Sequence, residues 1–182
     1  MSGTKVRFLN ATEIEQAIRD ASSVSRAQRI DIALAGGAAM QLFGSDRLTK
    51  DVGFVSSAVP DGIRVKKQLS FGGISGETES GTPVDFIVRD DDYEPLYEEA
   101  LAKAMAFEDL PVKVVRPEYL AAMKLAARRV KDEEDLRALI ASGNVNIAAA
   151  RVVVAAHLGR YAVDEFDSYV DEVTWRKSRG EM

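Results

Sequence analysis

Two groups of residues in the first half of the chain have types and spacing suited to phosphate chemistry. Gly36-Gly37 interrupts the apolar run Ile30-Asp31-Ile32-Ala33-Leu34-Ala35, and Ala38-Ala39-Met40-Gln41-Leu42-Phe43 follows. That order reads as strand, glycine turn and helix. Such a turn lets backbone N–H groups approach a phosphate, and the helix dipole adds a favourable field. Fifteen residues after Gly36, Asp51 opens Asp51-Val52-Gly53-Phe54-Val55. A strand directs residues i and i+2 to one face, so Asp-x-Asp would set two carboxylates side by side for divalent cations holding a triphosphate. Here Asp51 is present and position 53 is Gly. A further carboxylate, Asp85, sits between apolar neighbours in Pro83-Val84-Asp85-Phe86-Ile87-Val88. A carboxylate embedded there is costly unless it pairs, accepts hydrogen bonds or meets a cation. Each piece alone also has a plainer reading, a tight turn or an outward-facing strand residue.

The second half adds cations. Lys124 stands in Ala121-Ala122-Met123-Lys124-Leu125-Ala126-Ala127, an otherwise apolar helical stretch. Lys124, Arg128, Lys131 and Asp135 are spaced by 4, 3 and 4, which predicts one face of one helix. Three cations in line could neutralise a triphosphate or an RNA backbone. The competing reading is a solvated face with a Lys131–Asp135 pair.

Together these stretches resemble the nucleotidyltransferase-fold superfamily. Its signature is a Gly-Gly or Gly-Ser turn, then Asp-x-Asp or Asp-x-Glu on a strand, then a lone acid on a later strand. Within it, Gly36-Gly37-Ala38-Ala39-Met40 followed by Gly44-Ser45-Asp46-Arg47-Leu48-Thr49-Lys50-Asp51-Val52-Gly53 is similar to the abortive-infection (AbiEii-like) nucleotidyltransferases of toxin–antitoxin systems. Lys124 and Lys131-Asp132-Glu133-Glu134-Asp135-Leu136 extend the likeness, which spans roughly residues 30 to 140. The resemblance implies an α+β fold, a nucleotidyltransferase-like mixed sheet flanked by helices and followed by a C-terminal helical part. It implies transfer of a nucleotide from an NTP to a protein, tRNA or small-molecule hydroxyl, with Mg²⁺ or Mn²⁺. Asp51 and Asp85 would hold metal, and Asp85 would also help deprotonate the acceptor. Gly36 and Gly37 would cradle phosphates, and Arg47, Thr49 and Lys124 would contact the nucleotide, with Arg128 and Lys131 nearby. A cognate antitoxin is an implied partner.

The chain departs from that pattern at Gly53, which cannot ligate, orient or act as a base. Three accounts follow. The protein is a nucleotide- or protein-binding module without catalysis; or Gly53 replaces an Asp; or Glu77 or Glu79 swings in from the glycine-rich stretch Gly72–Gly81 to supply the ligand. An enzyme weakened at this position is the first reading, and an inactive module of the same fold is the second.

These residues need elements to position them. Thr12-x-x-Glu15 predicts a capping box, with a helix through Ala21. Residues 62–71 and 82–88 predict strands joined by a long mobile glycine-rich connection. Residues 93–104 predict a helix and 112–115 a short edge strand. From Pro117 the chain reads as helical, with Asn144 or Asn146 capping a helix that ends near Gly159, and with Phe166, Tyr169, Val170 and Val173 on a last amphipathic helix. The expected division is an α/β part over 1–115 and a helical part over 116–182.

Composition narrows the chemistry. Cysteine is absent and His157 is the single histidine, which removes disulfides, thiolate zinc, thiol catalysis and His-rich metal sites. His157 itself, in an Ala/Val-rich helix, reads as a packed or surface residue. The net charge of −5 argues against a broadly basic, nucleic-acid-coating surface. No apolar run approaches the roughly 18 residues of a membrane span. Met1-Ser2-Gly3-Thr4-Lys5 shows no signal-peptide core, so a cytoplasmic protein without membrane association is expected.

Overall fold

A computed structural model describes residues 7–182, and the Met1–Lys5 stretch read for a signal peptide lies outside them. The chain runs α1 (Ala11–Ala27), β1 (Ile32–Ala35), α2 (Gly36–Leu42), β2 (Val52–Ser56), β3 (Arg64–Gln68), β4 (Gly73–Glu77), β5 (Pro83–Ile87) and α3 (Glu94–Ala102). It continues with β6 (Lys113–Val114), α4 (Pro117–Ala127), α5 (Val130–Ser142), α6 (Ile147–Leu158) and α7 (Arg160–Ser178). This is an α+β fold with a mixed sheet and C-terminal helices. Among the described residues, no helix is long and apolar enough to cross a membrane.

Two compact units form. The first holds Met1–Ala39 and Arg47–Val115; the second holds Met40–Asp46 and Arg116–Met182. Met40–Asp46 groups with the later helices rather than with the segments on either side of it. A hydrogen bond from Asn144 Nδ2 to the Phe43 carbonyl (3.0 Å) ties that segment in.

In the first unit the six strands are ordered β3-β4-β5-β2-β1-β6. The pairs β2–β5 and β1–β6 are parallel; β1–β2, β3–β4 and β4–β5 are antiparallel. Register sets two adjacent rows of opposite character. Leu34, Phe54, Phe86 and Ile74 pair laterally and are all buried. The Phe54 and Phe86 rings stack with centroids 5.3 Å apart. One residue further along, where side chains turn to the other face, Ala35, Gly53, Asp85 and Ser75 form the next row. Burial along β5 alternates accordingly, with Val84 and Phe86 buried and Pro83, Asp85 and Ile87 partly open.

Three local expectations need correction. The capping box of α1 is Asn10/Glu13 rather than Thr12/Glu15: Glu13 N donates to Asn10 Oδ1 and Asn10 N to Glu13 Oε2, both at 2.9 Å. The stretch read as a mobile connection contains β4, paired on both sides. Its first residue, Gly73, has φ +92°, and a Cβ there would lie 2.0 Å from the Phe86 carbonyl oxygen, so only glycine closes this hairpin. Finally, the helical face through Lys124, Arg128 and Lys131 does not exist as one helix. α4 ends at Ala127, Arg128 takes a left-handed conformation (φ 54°), and α5 starts at Val130.

Candidate active site

The glycine pair ends β1 and opens α2. Gly36 has φ +62°, a conformation that side chains rarely adopt. Gly37 is constrained from outside: a Cβ there would sit 2.8 Å from Thr49 Oγ1 and 3.0 Å from Thr49 Cβ. Thr49 is buried, and its hydroxyl donates to the Asp51 carbonyl at 2.8 Å. Its own carbonyl accepts from Leu9 N at 2.9 Å. Thr49 thus links the glycine turn to the Asp51 backbone, a positioning role the sequence does not disclose. Gly37→Ala should push Thr49 aside and destabilise the first unit by about 1–3 kcal/mol, read as a lower denaturant midpoint. An unchanged midpoint would show that this contact relaxes without cost.

Asp51 precedes β2 and is partly buried, as is Asp85 on β5. Gly53 lies directly beside Asp85 in the parallel β2–β5 register. An extended chain puts Asp51 about 6.6 Å upstream of Gly53, with about 4.8 Å between the strands. Asp85 Oδ1 is buried. A Cβ at Gly53 would make ordinary contacts only, 3.7 Å to the Ala35 carbonyl oxygen and 4.0 Å to Gly36 Cα. The backbone therefore leaves room for a Cβ at 53.

Across the same row, Ser75 pairs with Asp85 and Lys67 with Ser75. Sequence reasoning missed both, because β4 had no strand signature and the register was therefore invisible. Arg47 is partly buried in the segment before Thr49. Glu77, one proposed substitute ligand, is ion-paired with Arg64 and with Lys66 (3.5 Å). Glu79 is exposed in the turn before β5.

The remaining predicted cations belong to the second unit. Lys124 is nearly buried, and its ammonium donates to Asp132 Oδ1 (3.0 Å) and Asp135 Oδ2 (2.6 Å) across the α4–α5 corner. Arg129 Nη2 also donates to Asp132 Oδ1 at 3.2 Å. Burial alone would raise the Asp132 pKa. The Arg129 hydrogen bond and the Lys124 charge outweigh it and hold the carboxyl below its ordinary 3.8. Asp135 pairs with Lys124. Arg128 reaches Glu165 at 2.8 Å, and Lys131 is exposed. The cation in the apolar helix is accounted for by two buried aspartates.

Among the described residues, no group of three or more His, Asp or Glu side chains is arranged for a metal ion. The carboxylates nearest Gly53 along the sheet are Asp51, two residues before it, and Asp85, its register partner on β5. Mg²⁺ is commonly bound through one or two carboxylates plus waters and substrate phosphates.

The sequence matches no protein-family model and no curated protein. The fold does match solved structures. An antigenic nucleotidyltransferase-like protein from Paracoccidioides brasiliensis superposes with TM-score 0.54 at 17% identity, over 91% of this chain and 95% of that one. The antibiotic-resistance factor ANT(2'')-Ia gives 0.53 at 18% identity, over 88% and 99%. ANT(2'')-Ia in complex with adenylyl-2''-tobramycin gives 0.52 at 18% identity, over 83% and 99%. At these identities the likeness speaks for architecture: the chain has a nucleotidyltransferase-like fold.

Proposed function

We propose that this protein transfers a nucleotide from an NTP to a hydroxyl acceptor, at a rate limited by Gly53. The observation that carries the reading is the register of Gly53 beside Asp85, with Asp51 two residues upstream and the Gly36-Gly37 turn after the neighbouring strand. The acceptor oxygen would form a bond to the α-phosphorus as the bond to pyrophosphate breaks, and the hydroxyl proton would pass to the Asp85 carboxylate. Gly36 and Gly37 leave backbone N–H groups approachable by phosphate oxygens, Arg47 adds a cation, and Thr49 fixes Asp51. Asp51 and Asp85 would hold Mg²⁺ or Mn²⁺, which when bound neutralises phosphate charge. Lys124 is left out of the nucleotide contacts because its ammonium is engaged by Asp132 and Asp135.

The acceptor class follows from what supports it. The ANT(2'')-Ia complex contains an adenylylated small molecule, which favours a small-molecule hydroxyl. The likeness of Gly36–Met40 and Gly44–Gly53 to the AbiEii-like pattern favours a toxin–antitoxin component acting on a tRNA or protein. The second reading, an inactive nucleotide- or protein-binding module, is favoured by Gly53 itself.

Incubation with α-labelled NTPs, Mn²⁺ and a cell extract tests the first reading. Label transfer should occur and should fall by roughly 10²-fold or more in Asp85→Asn, the usual cost of losing a positioned base. Nucleotide binding by calorimetry without any transfer would overturn it in favour of the module.

A further inference from the structure

The first unit carries a second concavity, at the other end of the same strands. Gly36 follows β1 and Asp51 precedes β2. The second cleft, about 630 Å³, is lined instead by the start of β1, the end of β2, the residues after β5, and parts of α1 and α3. Its volume is in the range of small-molecule sites. None of its lining residues has a part in the proposed transfer.

Arg89 is its most unusual member. The guanidinium carbon lies 4.7 Å from the Phe71 ring centroid, 5.3 Å from Tyr93 and 4.6 Å from Tyr97. Nη1 donates to Asp91 at 3.0 Å, and the side chain is 11% exposed. Three rings and one carboxylate thus fix the guanidinium in place. Its Nε is buried and has no hydrogen-bond partner among the described residues. Ser25 on α1 lines the same cleft; it is 1% exposed, and its Oγ is likewise buried without a partner. Leaving such groups unmatched costs about 1–3 kcal/mol each. Other polar lining groups are matched: Ser22 Oγ and Arg26 Nη2 both donate to the Pro111 carbonyl, at 3.1 and 2.9 Å.

Arg89 Nε can only donate and the Ser25 hydroxyl can donate, so each calls for an acceptor oxygen in the cleft they both line. The charges around it balance: Arg26, Arg89 and Lys113 against Asp31, Glu94 and Glu98. A balanced lining disfavours a polyanion such as an NTP. Ile32, Val55, Ile87 and Leu101 add apolar surface. We propose that this cleft is a second ligand site that takes a small zwitterion of amino-acid type. Its carboxylate meets Arg89 and Ser25, its ammonium meets Glu94 and Glu98, and an aliphatic side chain covers the apolar part. The proposal is independent of the transfer reading, since it uses neither Asp51 nor Asp85.

The test is a titration of the ¹⁵N-labelled chain with three probes of similar shape: L-leucine, 4-methylpentanoate, which lacks the ammonium, and isoamylamine, which lacks the carboxylate. L-leucine should produce saturable amide shifts at Ser25, Arg89 and Tyr97 with Kd near 1 mM or tighter, and isoamylamine should produce none there. Ser25→Ala should weaken L-leucine roughly tenfold, and Glu98→Gln should weaken L-leucine while leaving 4-methylpentanoate unchanged. Arg89→Gln should abolish binding; because that change also opens the aromatic cage, Ser25→Ala is the deciding variant. Absence of saturable shifts, shifts confined to other residues, or L-leucine affinity unaltered in Ser25→Ala would overturn the proposal.

Discussion

Gly53→Asp should increase Mn²⁺ affinity by roughly tenfold or more, a conservative figure given what losing even an outer-shell partner costs a metal site. The new carboxylate would stand beside Asp85 in register and two residues from Asp51. Its Cβ fits without displacing backbone, since the nearest atom is the Ala35 carbonyl oxygen at 3.7 Å. Three carboxylates with no cation repel one another in a partly buried setting. The variant should therefore unfold at a lower temperature than the parent in EDTA, and Mn²⁺ should recover that loss. Calorimetry and thermal unfolding with and without metal read both effects without needing the acceptor. Label transfer in cell extract should rise in parallel, because phosphoryl transfer depends on charge stabilisation. If affinity and EDTA-dependent stability both stay at parental values, the β2–β5 row is not a metal site.

Lys124→Met should destabilise the second unit by about 3–5 kcal/mol, the usual cost of stranding buried charge. Asp132 and Asp135 are essentially buried, and Lys124 is the cation between them. Arg129 still reaches Asp132 in the variant, which places the loss toward the lower end of that range. The pH dependence distinguishes this from a simple packing defect. In the parent, Asp132 has a depressed pKa, so its contribution is full above the ordinary 3.8 and is lost as pH falls through the folded value. Without Lys124, the burial of Asp132 is opposed by Arg129 alone, and its pKa rises. The deficit measured by denaturant unfolding should then be smaller at pH 5 than at pH 7, and Lys124→Met/Asp135→Asn should regain part of it. A loss under about 1 kcal/mol with no pH dependence would show that the cluster is not structural, and would return Lys124 to the nucleotide-contact candidates.

The elements that could be read from sequence were those whose side chains announce them. β1, β2 and β5 are short apolar runs bounded by turn residues, and α6 and α7 have an asparagine cap and a periodic apolar face, respectively. The Gly36-Gly37 break between strand and helix was legible for the same reason. Elements specified by backbone contact were not. β4 is Gly73-Ile74-Ser75-Gly76-Glu77, and its two glycines let neighbouring strands approach closely, so composition suggested a loop where pairing makes a strand. The α4–α5 corner contains neither Gly nor Pro. Arg128 adopts the left-handed conformation there, and the ion pairs of Lys124 with Asp132 and Asp135 cross the corner. A periodicity count runs through such a corner unaware, which is why three cations seemed to share a face. At the candidate site, Asp51, Gly53 and Asp85 were visible as residue types. The lateral neighbours Ser75 and Lys67, and the link from Thr49 to Asp51, depend on register and burial and were not.

The outer strand β3 has one further consequence. All five of its residues, Arg64-Val65-Lys66-Lys67-Gln68, are exposed, and among the described residues only β4 pairs with it. Open strand borders are where separate molecules can zip together into fibres. Here three positive charges and the irregular register between Val65 and Lys67 make stacking of identical copies along that border electrostatically and geometrically unfavourable. The opposite border, β6, is only two residues long. Both margins thus carry features that disfavour self-association, and neutralising Lys66 and Lys67 would weaken the charge part of it on the longer one.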